Sequence, residues 1–552
     1  VIVLGIADGW DAGAALAIDD QLVAADLEEH HDAQRRSNTF PWRAIEAVLR
    51  LGGVTAADVD VVSVAGRFSP PLFLRRRPGL RRFGRDPFSP LVDAHVFLQA
   101  MLRQTGWGAV DADQARDWFG ERLGAHGFRP NRLAMVDIHA ALADAAYRMQ
   151  PEDEALIIVL HPMGDGVAVS VHKGEAGQLD RVWQQKGFES LHVHLRRTTA
   201  AIGLRPYLDD HRLWELAARG QADPDLVGRL GAQLRAEQGR VSRRNYPMPA
   251  RPDDDLYRAL SEAPVEVAAA SIDTHLRAVV RDVVAWHVRE HRARTVVVAG
   301  EVFENPRLIS DLAGIDGIRS VSACPRPGHA VLAIGAAAGA IGLAPDRRPW
   351  NLGPAPDPLE VEAAIAQLGV PFHDQTDLVS ILAKGGAVAR FRGRAALGRA
   401  GLGSRAVLVR ADERTATDRV RRALALPDDV VPLAVVCPDV QDAGVQSLGP
   451  LGDAAWVAAC APRVDRAFAT RFGGVVTADS RAHVLRADAD PGLYKVARAF
   501  YDSTRIPVLA AFPLARGDAP LVGTPAAALD VWRTGALDAI QLGDRWLVRG
   551  SQ

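Results

Sequence analysis

Residues 1–26 read VIVLGIADGWDAGAALAIDDQLVAAD, and residues 155–174 read ALIIVLHPMGDGVAVSVHKG. Each stretch is an apolar run, a turn of small and polar residues, and a second apolar run. Short apolar runs punctuated in this way are the pattern of β-hairpins. In the first copy strands are expected over 1–6, 14–18 and 22–26, with Asp19-Asp20 making the tight turn. In the second they are expected over 155–160 and 167–171, with Lys173-Gly174 at the next turn. Two hairpins built on one grammar predict a duplicated α/β domain.

Outward from these hairpins, residues 40–51 place Ala44, Ile45, Val48 and Leu51 on one helical face, and Gly52-Gly53 closes that helix. Residues 59–64 read as a buried strand, and 138–148, 265–289 and 331–342 read as helices. The proline-rich stretch APDRRPWNLGPAPDP (344–358) interrupts the pattern and reads as a linker. Helices over 359–368 and 377–384 and a strand over 387–390 follow it. The expected organisation is a domain over 1–345, a linker over 346–358 and a smaller domain over 359–552. Two arginine-dense stretches, FLRRRPGLRRFGR (73–85) and GRVSRRNYPMPAR (239–251), read as solvated loops.

The chain has 552 residues, 48% of them apolar and 24% charged, an ordinary globular balance that excludes disordered and fibrous classes. A formal net charge of −2 provides no general field for nucleic acid or an anionic membrane, so neither is expected as a partner. Three cysteines (Cys324, Cys437, Cys460) are too few and too scattered for a disulfide framework. No apolar run approaches the ~20 residues of a membrane span, and the first residues lack the basic region of a signal peptide. A cytoplasmic protein is the expectation.

Taken together and in order, these stretches resemble the two-domain carbamoyltransferases of antibiotic and nodulation-factor biosynthesis. The resemblance also rests on VVVAGEVFENPRL, PRPGHAVLAIGAAAGA, FRGRAALGRAGLGSRAVL and RIPVLAAFPLARGDAPLVGTP. It implies an actin- and sugar-kinase-like duplicated N-terminal domain followed by a smaller α/β domain of the acyl-adenylate-synthase type. It also implies chemistry in which carbamoyl phosphate and ATP give carbamoyl-adenylate, whose carbamoyl group passes to a substrate hydroxyl at a metal site.

The positions that carry this chemistry in the family are altered here. A histidine before the Asp-Ala pair is Trp10, although Asp11-Ala12 follows. The His-x-x-x-His metal helix, whose i,i+4 spacing puts two imidazoles on one face, carries Ile138 and Leu142, with His139 one step off. Two aspartate ligands are replaced by His161 and His329. In the second domain Gly393, Arg394, Gly398, Leu402, Gly403 and Arg405 are kept. Ala396, Ala400 and Ser404 replace a glutamate, an arginine and an asparagine, and Val431 replaces the arginine before Pro432. Asp479–His483 and Ala511–Ala515 depart from the family stretches as well.

The candidate site residues are therefore Asp11 and Asp165 for catalysis, Gly393, Arg394 and Arg405 for residual ATP or carbamoyl phosphate, and His161, His329 and His139 for a divalent metal. Because apolar Ile138 and Leu142 line the helix side, His161 and His329 are expected to be a weak two-imidazole remnant, which His139 joins only if its helix rotates. The expected function is a catalytically impaired carbamoyltransferase homologue that supports an intact partner, as a hetero-oligomer or alternatively a homodimer. The second expectation is an active O-carbamoyltransferase with an altered site, and the third a histidine-metal hydrolase or small-molecule binder in the old cleft.

Overall fold

Both quoted stretches fold as antiparallel hairpins extended by a third strand. In the computed structural model β1 (Ile2–Ala7), β2 (Gly13–Ile18) and β3 (Gln21–Leu27) form the first meander. Described are residues 1–79, 107–243, 254–324, 326–346, 350–369, 371–374, 376–397, 401–427, 432–436, 482–485, 490–535 and 537–549, with 88, 101, 105, 348, 471 and 472 besides. Helix α1 (Trp42–Gly52) follows the meander. It ends at Gly53, whose φ of 64° lets its N–H turn back to the carbonyls of Arg50 and Leu49. Strands β4 (Val61–Ala65) and β5 (Arg132–Val136) then add to β1 in parallel, giving the order β3-β2-β1-β4-β5. Helix α2 (Ile138–Arg148) leaves the end of β5, with the Asp137 side chain accepting the Ala140 N–H at 3.1 Å as its N-cap.

The second half repeats this plan. Strands β6 (Ala155–Leu160), β7 (Val167–Glu175) and β8 (Gln178–Lys186) form an antiparallel meander. After helices that include α3 (Leu191–Ala201) and α4 (Val265–His291), strands β9 (Thr295–Ala299) and β10 (Ser320–Ala323) add in parallel, in the order β10-β9-β6-β7-β8. Strand order and direction match between the halves, so the duplication is structural.

Helix α5 (Leu332–Ala340), LAIGAAAGA, follows β10 as α2 follows β5, and the two pack together. Small residues are required there. A Cβ on Gly335 would lie 1.7 Å from the Ala141 carbonyl oxygen, and one on Gly5 of β1 would lie 2.1 Å from that of Ala333. The core of the first half gathers Leu4, Ile6 and Leu16 with Val62, Val64 and Phe119, all essentially inaccessible to solvent.

The chain divides into two compact units, one of Val1–Glu28 with Arg36–Arg348 and a second of Glu29–Arg35 with Pro349–Gln552. The second unit is a seven-stranded mixed sheet. Its edge-to-edge order is β14 (Ala482–Val484), β13 (Leu433–Val436), β15 (Val508–Pro513), β12 (Arg405–Arg410), β11 (Val388–Phe391), β16 (Ala539–Leu542) and β17 (Arg545–Val548). Among the described residues no helix is long and apolar enough to cross a membrane.

One sequence expectation is corrected. The arginine-dense stretch from residue 73 does not begin as a solvated loop, since Leu72–Arg76 is helical and Arg75 is buried. Its guanidinium bonds Asp8 at 2.5 Å and the Pro70 carbonyl at 2.7 Å. Asp8, buried just past β1, is a charge that must be paired. The second stretch begins as the strand Arg240–Arg243, paired with Leu234–Glu237, and its residues 244–251 lie outside the described residues.

Candidate functional site

Strands β6 and β9 are parallel neighbours with Val159 opposite Ala299. Continuing that register two residues on brings His161 beside Glu301. The chain turns sharply at Gly300, whose φ is 122° and where a Cβ would lie 1.7 Å from the Leu160 carbonyl oxygen. His329 enters from the short 3-10 turn that precedes α5. Gly328 admits the carboxylate, since a Cβ there would lie 2.7 Å from Glu301 Oε1. His161, Glu301 and His329 are all buried, and their ligand-type atoms lie within 4.8 Å of one another.

The hydrogen bonds fix which ring nitrogen holds each proton. The Gly164 backbone N–H donates to His161 Nδ1 at 2.8 Å. A backbone N–H can only donate, so Nδ1 carries a lone pair and the proton of neutral His161 sits on Nε2. That Nε2 is 3.0 Å from His329 Nε2, which must accept and therefore holds its own proton on Nδ1. His329 Nδ1 lies against Glu301 Oε1, which also accepts the His329 backbone N–H at 3.2 Å. Burial holds His161 well below the ordinary imidazole range. Burial opposes ionisation of Glu301, but His329 beside it more than offsets this and holds its carboxyl well below the usual range. His192 on α3, which sequence reading did not assign to the site, has Nε2 3.9 Å from Glu301 Oε2, and burial pushes its pKa down to about 4.

This donor set does not fit the family's metal. A metal on His161 needs a lone pair on Nε2, which the Gly164 N–H denies it. The lone pair of His329 Nε2 is already occupied by the His161 proton. His139 is not brought to the cluster. Its Nε2 donates to the Val167 carbonyl at 2.9 Å, and its Nδ1 accepts from Ser170 Oγ at 2.8 Å. Ser170 in turn accepts from His172 Nε2 at 2.9 Å. His139 is thus a satisfied core histidine, 5.8 Å from the His161 ring centre to centre. Ile138 and Leu142 are buried, and Ile138 packs directly over Gly164.

The two candidate catalytic aspartates are held as well. Asp11, at φ 52°, accepts from Arg326 at 2.8 Å and from Arg36 at 3.4 Å, and all three side chains are buried. Asp165, also at φ 52°, accepts three backbone N–H groups, from Ile138 at 2.7 Å, Phe68 at 2.6 Å and Arg67 at 3.1 Å. Burial and the neighbouring Asp137 carboxylate push its pKa up to about 6.

In the second unit Arg405 is surrounded by carbonyl oxygens. Its Nη1 reaches those of Ser404 at 2.9 Å, Gly393 at 3.1 Å and Arg392 at 3.3 Å, and its Nη2 reaches that of Pro354 at 3.1 Å. The guanidinium lies 3.9 Å over the Phe391 ring. Arg394 donates to the carbonyls of Gly353, at 3.2 Å, and Leu352. Ala396 is fully buried, and Ser404 Oγ donates to the Gly401 carbonyl at 2.9 Å. Residues 511–515 end β15 as largely buried apolar chain. Gly398, Ala400, Val431 and Asp479–Arg481 lie outside the described residues.

Compared with known proteins, residues 379–549 match the family described as Carbamoyltransferase C-terminus. The nodulation protein NolNO of Sinorhizobium fredii is 22% identical over 573 residues, covering 97% of this chain and 78% of that protein. An uncharacterized protein of Synechocystis is 24% identical over 230 residues, covering 40% of this chain and 35% of the other. Among solved structures, a ROK family glucokinase from Streptomyces griseus aligns with a TM-score of 0.30 and 13% identity, over 61% of this chain and 98% of that one. That score is too low to carry a structural argument.

Proposed function

We propose that this chain, which belongs to the carbamoyltransferase family, is a catalytically impaired member that supports an intact carbamoyltransferase in natural-product biosynthesis in the cytoplasm. The observation that carries the reading is the set of carbonyls around Arg405. ATP and carbamoyl phosphate are polyanions, and binding them takes guanidinium and amide donors aimed at the ligand. The guanidinium of Arg405 instead ties the carbonyls of Arg392, Gly393 and Ser404 to that of Pro354, and Arg394 bonds those of Leu352 and Gly353. Turning either toward a phosphate would give up these bonds, about 0.5–1.5 kcal/mol each. Ala396 supplies no charge at the position where the family carries a glutamate.

In the first unit Asp11 and Asp165 are committed to arginines and backbone amides, and the metal helix presents Ile138 and Leu142. A fold kept while both sites close is retained through its surface, and related chains can exchange places in a two-fold dimer. The proposed partner is an intact family member, joined over an interface of well above ~1,000 Å².

The reading is tested by incubating the purified chain with ATP, Mg²⁺ and carbamoyl phosphate, alone and with an intact homologue. Pyrophosphate release at background from the chain alone, with one co-eluting peak when the two are co-expressed, is expected. Steady turnover by the chain alone would overturn the impaired reading, and separate elution at micromolar concentration would overturn the partnership.

A further inference from the structure

We propose that the junction of β6, β9 and the turn before α5 is held by a one-way hydrogen-bond chain in place of a metal ion. It runs from the Gly164 N–H through His161 and His329 to Glu301, its anionic terminus. The inference deepens the impaired reading at the first-unit site and rests on it, but it uses residues that the nucleotide chemistry does not touch.

The direction of the chain is forced at its first link. Gly164 can only donate, so both rings must hold their protons on the side away from it, and the last ring nitrogen, His329 Nδ1, is in contact with the Glu301 carboxylate. A hydrogen bond to an ionised group is about twice as strong as a neutral one, so the carboxylate orients both rings. The reverse polarity would set the Gly164 N–H against a ring N–H and leave the buried Glu301 charge facing a lone pair.

A zinc-class ion would need each donor about 2.0–2.2 Å away with its lone pair turned inward. His161 cannot comply while Gly164 donates to Nδ1. The glycines agree with this reading. Gly164 approaches His161 with no room for a side chain, since a Cβ would lie 2.8 Å from Nδ1, Gly328 makes room for the Glu301 side chain, and Gly300 lets the chain pass against the Leu160 backbone. The chain ties together three segments remote in sequence. It also holds the turn that carries Asp165, and Asp165 in turn clamps residues 67–68 to the start of α2. Glu301 is thus a positioning residue.

The full-length chain, purified without an affinity metal, tests this. Elemental analysis is expected to find far less than one transition metal per chain, and the melting temperature should not move with EDTA or added Zn²⁺. Selective ¹⁵N labelling of histidine should show His161 as the Nε2–H tautomer and His329 as the Nδ1–H tautomer. Glu301→Leu should lower the melting temperature by about 5 °C or more, as loss of a buried acceptor does, and Glu301→Gln, which keeps an acceptor oxygen, by less. One tightly held metal per chain, a drop in melting temperature on chelation, or an Nδ1–H tautomer at His161 would overturn the proposal, even if the leucine variant fails to fold. Nucleotide turnover moves none of these readouts, so failure of the impaired reading is seen separately.

Discussion

Asp165 is a cleft carboxylate that the fold has made a fastener. Three N–H groups, that of Ile138 in a buried bond and those of Arg67 and Phe68 in part-buried ones, converge on it from two segments far apart in sequence. Asp165→Ala would leave the Ile138 N–H buried without its acceptor, and the expected loss is about 1–3 kcal/mol of unfolding free energy in urea. A change below about 1 kcal/mol would mean that water replaces the carboxylate easily and that the site is still open. Asp165 could be picked out in the sequence because it stands in a glycine turn between two apolar runs. Glu301 could not, although it stands one glycine beyond the strand TVVVA, much as His161 stands at the end of ALIIVL. The two meet only because β6 and β9 are parallel neighbours, and their pairing spans a long crossover that no local pattern reveals. The same limit hid Arg75, whose partner Asp8 is 67 residues away.

At the scale of elements, α2 was legible in the sequence over 138–148, and its bounds in the structure match that reading. Its chemistry was legible too, since apolar side chains at 138 and 142 cannot ligate. The structure adds that both are packed into the core. Installing the family's histidines by Ile138→His with Leu142→His should therefore cost several kcal/mol and bind no metal, because the new imidazoles enter a dry, filled space. Tight metal binding by the double variant, with stability kept, would show that the pocket survives. The α2–α5 contact is equally exacting. Gly335→Val forces a Cβ into the Ala141 carbonyl, and a loss of about 3 kcal/mol in denaturant unfolding is expected.

For the whole molecule, the repeated hairpin grammar was enough to predict duplication, and the matched sheet orders bear it out. Histidine burial was not readable from composition. Burial holds His139, His161 and His194 well below the ordinary range and lowers His192, His275 and His287 to about 4 and His172 to about 3. A histidine whose folded pKa is depressed adds stability above its unfolded value of about 6.5 and loses it as pH falls below that. Four carboxyls act oppositely. Asp165, raised to about 6, Asp210, raised to about 7 chiefly by burial, and Asp111 and Asp144, also raised by burial, favour the fold at low pH and lose that contribution as pH rises. These seven histidines outweigh the four carboxyls, so the urea midpoint should fall between about pH 7 and about pH 5. A flat or rising midpoint would contradict the neutral histidine core.

On this reading the arginines of the second unit serve its loops rather than a nucleotide. Equilibrium binding of Mg²⁺·ATP to the full-length chain by titration calorimetry tests it most directly. The predicted result is no saturable heat up to ~1 mM ligand, where even a bond of about 4 kcal/mol would register. Saturable binding in the micromolar range, abolished by Arg405→Ala in a chain that still folds, would contradict it.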